Sequence, residues 1–88
     1  VALNALELKP ETLVKHSVSI AGHRTSISLE NAFWAGLKDI AAARSMALAQ
    51  LIVEIDMARE VNLSSAIRVY VLAYYQGSGV SISQNSAP

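Results

Sequence analysis

Two spacings divide this chain. From Thr12 to Leu29 the apolar positions alternate; from Glu30 to Gln76 they recur every three or four residues. In the first part Val14, His16, Val18 and Ile20 alternate with Lys15, Ser17 and Ser19, as in a strand with one buried face. Ala21-Gly22-His23-Arg24 reads as a short turn, with Gly22 free to take positive φ. Alternation resumes with Thr25, Ile27 and Leu29 on one side and Ser26, Ser28 and Glu30 on the other. Strands are expected over about 14–20 and about 25–29.

The second part predicts three helices, over about 30–44, 47–60 and 64–76. In the first, Phe33, Leu37, Ile40 and Ala41 share a face with Trp34 at its margin; Ser28 is the expected cap and Glu30 suits the first turn. The second has the stripe Leu48, Leu51, Ile52, Ile55 and Ala58, with Glu54, Asp56 and Glu60 outside. Asn62-Leu63-Ser64-Ser65 offers the cap of the third. That third helix is apolar nearly all round, so it is expected to be buried on several sides or to meet a partner through Ile67, Tyr70, Val71 and Tyr74. Pro10 breaks any helix from Leu3, Leu6 and Leu8, which leaves residues 1–11 as a flexible or loosely docked arm. The uncharged, Ser- and Gly-rich residues 77–88 read as a disordered tail. One domain, residues 12–76, lies between them.

Composition sharpens this in two ways. Hydrophobic residues make up 52% of only 88, more than a small monomer easily hides, which favours burial between subunits. Without cysteine, disulfides and thiolate metal sites are excluded, and a cytoplasmic setting is expected. The longest apolar run, residues 69–75, is far too short to span a membrane, and the first residues lack the basic region of a signal peptide.

Candidate chemistry is sparse. His16 and His23 have no third ligand at metal spacing, so no metal or other cofactor is expected. His16, on the apolar side of its strand, is expected to be packed and hydrogen-bonded. No nucleophile elbow, paired His–carboxylate or glycine-rich phosphate loop appears, and the chain is not expected to be an enzyme. Phe33 and Trp34 stand at core spacing and are read as packing rather than as a base-stacking platform. Formal net charge is zero, which argues against a general polyanion binder. Yet residues 12–29 carry Lys15 and Arg24 with no carboxylate, while residues 30–60 hold five acids against three bases.

The runs Ser19-Ile20-Ala21-Gly22-His23-Arg24-Thr25-Ser26-Ile27-Ser28-Leu29-Glu30, Phe33-Trp34, Leu37-Lys38, Val53-Glu54-Ile55-Asp56 and Asn62-Leu63-Ser64-Ser65-Ala66-Ile67-Arg68-Val69-Tyr70-Val71-Leu72 resemble the ribbon-helix-helix domains. They are similar in particular to a bacterial subfamily of mostly uncharacterised predicted regulators. The resemblance implies a mainly helical fold with a short N-terminal β ribbon, an intertwined homodimer, and here an additional third helix. A lone strand Thr25–Leu29 would pair with its twin across a twofold axis, with Thr25, Ile27 and Leu29 forming the dimer ribbon.

The resemblance further implies a cytoplasmic, nucleoid-bound regulator that inserts this ribbon in the major groove of double-stranded DNA. Arg24, Ser26 and Ser28 would then contact bases. Phosphate would sit at the start of the second helix, Ser45, Met46, Ala47 and Leu48, with help from Lys15 and His23. Ser45 and Ala47 depart from the family's usual turn Gly and Ser or Thr cap. The rival reading is an antitoxin-like or scaffold module, in which the third helix recruits a protein partner or builds a tetramer.

Overall fold

The computed structural model describes residues 9–79. Strand β1 (Leu13–Ile20) and strand β2 (His23–Glu30) form a two-stranded antiparallel hairpin. Helices α1 (Asn31–Ala43), α2 (Leu48–Ala58) and α3 (Leu63–Tyr74) follow, and a π-helical turn, Tyr75–Gly79, continues α3. Of the expected arm, residues 1–8 lie outside the described residues; so does the expected tail beyond Gly79, whose first three residues belong to the π turn.

The hairpin turns on two residues, because Ile20 faces His23 in the register. Both turn residues take positive φ, +52° at Ala21 and +85° at Gly22. A two-residue loop of this kind matches the right-handed twist of its strands, and Asn-Gly is its favoured sequence. Gly22 adopts the conformation without cost; Ala21 does not, since its Cβ crowds the following carbonyl. Ala21→Asn is therefore expected to stabilise the domain by about 1 kcal/mol, the left-handed penalty that Asn relieves. A thermal melt should rise by roughly 4–8 °C.

The two strands stand where the alternation placed them, each slightly longer; what the hairpin corrects is the reading of Thr25–Leu29 as a lone strand. Thr25–Leu29 does have a partner in its own polypeptide: Val18 faces Thr25, His16 faces Ile27 and Val14 faces Leu29. The tight turn folds β1 back so that its alternating apolar side chains lie on the same side as Ile27 and Leu29. A twin is not needed to complete that edge.

Under this face the three helices close one core. Leu29, Leu37, Ile40, Leu51 and Ile67 are fully buried, and Ile27, Ala41, Ile52, Ile55 and Val71 nearly so. Gly36 lets α1 approach α3 closely: a Cβ there would meet Val71 Cγ1 at 2.9 Å. Ile67 and Val71, expected to face a partner, are instead spent inside this core, and Tyr70 and Tyr74 pack partly against it. With apolar residues on every side of α3, periodicity could not say which stripe turned inward. The outward side chains are Val69 and Leu72, with Tyr75 just beyond.

The first two backbone amides of α1 are satisfied without a side-chain cap. The cap position is Glu30, not Ser28; the Asn31 amide donates to the Thr12 carbonyl (2.9 Å) and the Ala32 amide to the Pro10 carbonyl (3.0 Å). Asn31 Nδ2 also donates to the Lys9 carbonyl at 3.0 Å, so residues 9–12 are tied to this helix end. At α3 the expected cap is present: Asn62 accepts a hydrogen bond from the Ser65 amide at 2.9 Å.

Candidate nucleic-acid interface

Strand alternation gives the hairpin an outer face. Lys15 stands opposite Ser28, Ser17 opposite Ser26, and Ser19 opposite Arg24. These six side chains point away from the core because their neighbours point into it. The face carries two cations and four hydroxyls. Arg24 Nη2 donates to Ser17 Oγ at 2.9 Å, so the guanidinium lies diagonally across both strands.

Among the paired strand residues one carboxylate borders this face, Glu30 opposite Leu13. Arg68 of α3 grips it with two hydrogen bonds, Nε to Oε1 at 2.8 Å and Nη2 to Oε2 at 3.3 Å. The bond from Arg68 holds the Glu30 carboxyl below its usual range. Its charge is thereby matched, and the strand-to-helix junction is tied to α3. Arg44 is committed similarly: Nη1 meets Glu54 Oε2 at 3.0 Å and the Tyr70 hydroxyl at 2.8 Å, which joins α1, α2 and α3.

The residues between α1 and α2 were expected to cradle phosphate. α1 ends in a Schellman motif, with the Ser45 amide donating to the Ala42 carbonyl (3.1 Å) and the Met46 amide to the Ala41 carbonyl (2.9 Å). Ser45 takes φ +56°, the conformation that explains why glycine is usual at this position. Ala47 is the N-cap of α2 and offers no side-chain bond. The leading amides of α2, from Leu48 onward, remain donors by helix geometry. A cavity of about 340 Å³ joins this helix end to the ribbon, with Ser17 and Ser19 on one side and Leu48 and Ala49 on the other. Ala47→Ser should restore the missing cap and add about 1 kcal/mol, read as a higher urea midpoint with unchanged slope.

Structure thus brings Arg24, Ser26, Ser28 and Lys15 together on one face and sets Leu48 beside its β1 edge. His23 does not join them. It lies at the hairpin tip in a separate cavity with Asp56 and Arg59, at the opposite end of α2. Ser17 and Ser19 were missed as candidate contacts because β1 was not expected to extend the reading ribbon; their alternation with Val18 was the available signal. The role of Arg68 had none, since its partner is 38 residues away.

His16 departs from expectation in one respect. It is packed, its ring stacked on Trp34 with centroids 3.7 Å apart and planes 7° from parallel. Its buried Nε2, however, has no hydrogen-bond partner. Burial, and then the nearby Lys38 ammonium, push its pKa below the ordinary histidine value. Among the described residues no cluster of three or more His, Cys, Asp or Glu is placed to hold a metal ion, and no helix is long and apolar enough to cross a membrane.

No curated protein matches this chain significantly. Among solved structures it is similar to an uncharacterized protein from Bordetella pertussis Tohama I, with 26% sequence identity and a TM-score of 0.66 over 100% of this chain and 80% of that one. Ribbon-helix-helix domains are, as a class, DNA-binding domains of regulators, and they generally act as dimers. Residues 13–75, which run from the first residue of β1 to just past α3, match the ribbon-helix-helix domain family, and the chain belongs to it.

Proposed function

We propose that this protein is a homodimeric, sequence-specific regulator that lays the outer face of its β1–β2 ribbon in the major groove of double-stranded DNA. The observation that carries this reading is the composition of that face: Lys15 and Arg24 among four serines, with the one carboxylate of the paired strands, Glu30, already neutralised by Arg68. A two-stranded ribbon is slim enough for the major groove. There the Arg24 fork suits the O6 and N7 of guanine, and hydroxyls from Ser26 and Ser28 can donate to or accept from several bases. Phosphate would meet the leading amides of α2 across the cavity that Ser17 and Ser19 share. Such a protein would work in the cytoplasm, on the nucleoid.

Two cations per chain make a weak electrostatic anchor, which is why the second copy belongs to this reading. The exposed Val69 and Leu72 and the 81% exposed Met57 supply apolar surface for it. A second reading is favoured by the same surface. An apolar groove of about 490 Å³ between α2 and α3, flanked by Val61 and Val69, suits a protein partner and needs no DNA.

One titration separates the two. Duplex DNA is titrated with the protein at low salt, and then at rising salt. The DNA reading expects binding whose logarithm falls with log salt at a slope of about −2 to −4, for two to four phosphates neutralised. A folded protein with no duplex affinity at low salt would leave the interaction module.

A further inference from the structure

His16 is the one polar side chain on the inward face of β1. Its ring lies flush on Trp34 of α1, and two grooves, of about 580 and 340 Å³, meet at this stacked pair. We propose that the His16–Trp34 stack is an acid-sensitive latch between β1 and α1: protonation frees the ring into the flanking grooves and loosens the ribbon.

The charges around the ring decide its response to acid. From α1, Lys38 and the neutral Asn31 line the larger groove beside it. From β2 Ile27 stands opposite it, and from α2 Leu48, Ala49 and Ile52 line the smaller groove. Its strand neighbours Lys15 and Ser17 point to the other face. Among the described residues, then, no carboxylate lines either groove beside His16, and the charged side chain that does is an ammonium. A neutral imidazole can leave Nε2 as a buried lone pair. An imidazolium must place a proton there, where no acceptor exists. Attraction of a cation to the indole face works the other way, against two opposing costs, an unpaired buried N–H and a like charge close by.

The folded protein therefore binds fewer protons than the unfolded chain as pH falls past the ordinary histidine value of 6.5. Stability is complete above that pH. It declines as acid titrates the window between 6.5 and the lower folded-state value, and levels off below it. For DNA the sign is diagnostic. Acid adds positive charge to any protein and so strengthens ordinary polyanion binding. A released latch disorders the ribbon and weakens duplex binding instead. This last consequence rests on the DNA reading; the latch itself does not.

Trp34 is the only tryptophan in the chain, so its emission reports the stack directly. Between about pH 7.5 and about pH 5 the wild type should show a Trp34 fluorescence titration with a midpoint below 6.5 and a parallel fall in urea midpoint. The His16 ring resonances should shift with the same midpoint. His16→Phe keeps a flat ring on Trp34 and cannot titrate; it should abolish both pH changes. Constant wild-type emission and urea midpoint across this range would overturn the latch, as would an equal acid loss in the Phe variant. So would duplex binding that tightens in acid while the Trp34 signal stays fixed. Absent duplex binding with the fluorescence titration intact would defeat the DNA reading alone and leave the latch standing.

Discussion

Ile27→Lys is expected to abolish folding of the domain, with loss of helical circular dichroism at every protein concentration. Ile27 is 2% exposed, faces His16 across the hairpin, and belongs to the buried cluster shared with all three helices. A lysine there places an ammonium in an apolar interior where, among the described residues, no polar or charged residue is buried to meet it. The cost, at least about 4 kcal/mol even after the amine gives up its proton, is comparable with the entire stability of a small domain. The independence of concentration makes the result informative. If Ile27 belonged only to a seam between two chains, the variant would survive as a folded monomer and sedimentation would show a lighter species. Burial within one chain predicts loss of the fold itself.

The same residue shows what could be read from sequence and what could not. Alternation placed Ile27 and Leu29 on a buried face, and the burial agrees. It could not say what lay across the strand. The run Ala21-Gly22-His23-Arg24 read as a turn, but not as the two-residue loop that forces the preceding strand alongside the following one, because Ala is a poor advertisement for a positive-φ position. The capping of α1 was illegible for a related reason. Its first amides are met by the carbonyls of Thr12 and Pro10, and main-chain acceptors leave no mark in residue type. Asn62 was legible because its side chain does the capping.

Helix α3 exposes a deeper limit. Ile67, Tyr70, Val71 and Tyr74 form a stripe at helical spacing, and so do Val69 and Leu72. The inward stripe depends in part on Gly36, whose missing side chain admits Val71. That is a tertiary fact, settled on another helix. At the candidate interface Arg24, Ser26 and Ser28 were readable from β2 alone. Ser17 and Ser19 required the knowledge that β1 lies beside it.

Arg24→Ala should lower affinity for a preferred duplex site by about 1–3 kcal/mol, roughly 5- to 150-fold, while changing stability by no more than about 0.5 kcal/mol. The small stability effect follows from exposure: its bond to Ser17 Oγ is made at the surface, where water replaces it readily. The large binding effect follows from position. Arg24 is the one guanidinium on the outer face, its diagonal reach covers both strands, and the other arginines of the described structure are held by carboxylates, Arg44 by Glu54, Arg59 by Asp56 and Arg68 by Glu30. The form of the loss identifies the contact. If Arg24 reads a guanine, discrimination between the preferred site and its variants at that base pair should collapse. If it meets a phosphate, affinity should fall about equally for all duplexes and the salt slope should shrink by about one. A variant that binds with undiminished affinity, selectivity and salt slope would remove the ribbon's outer face from recognition, because no other side chain there could supply the missing fork.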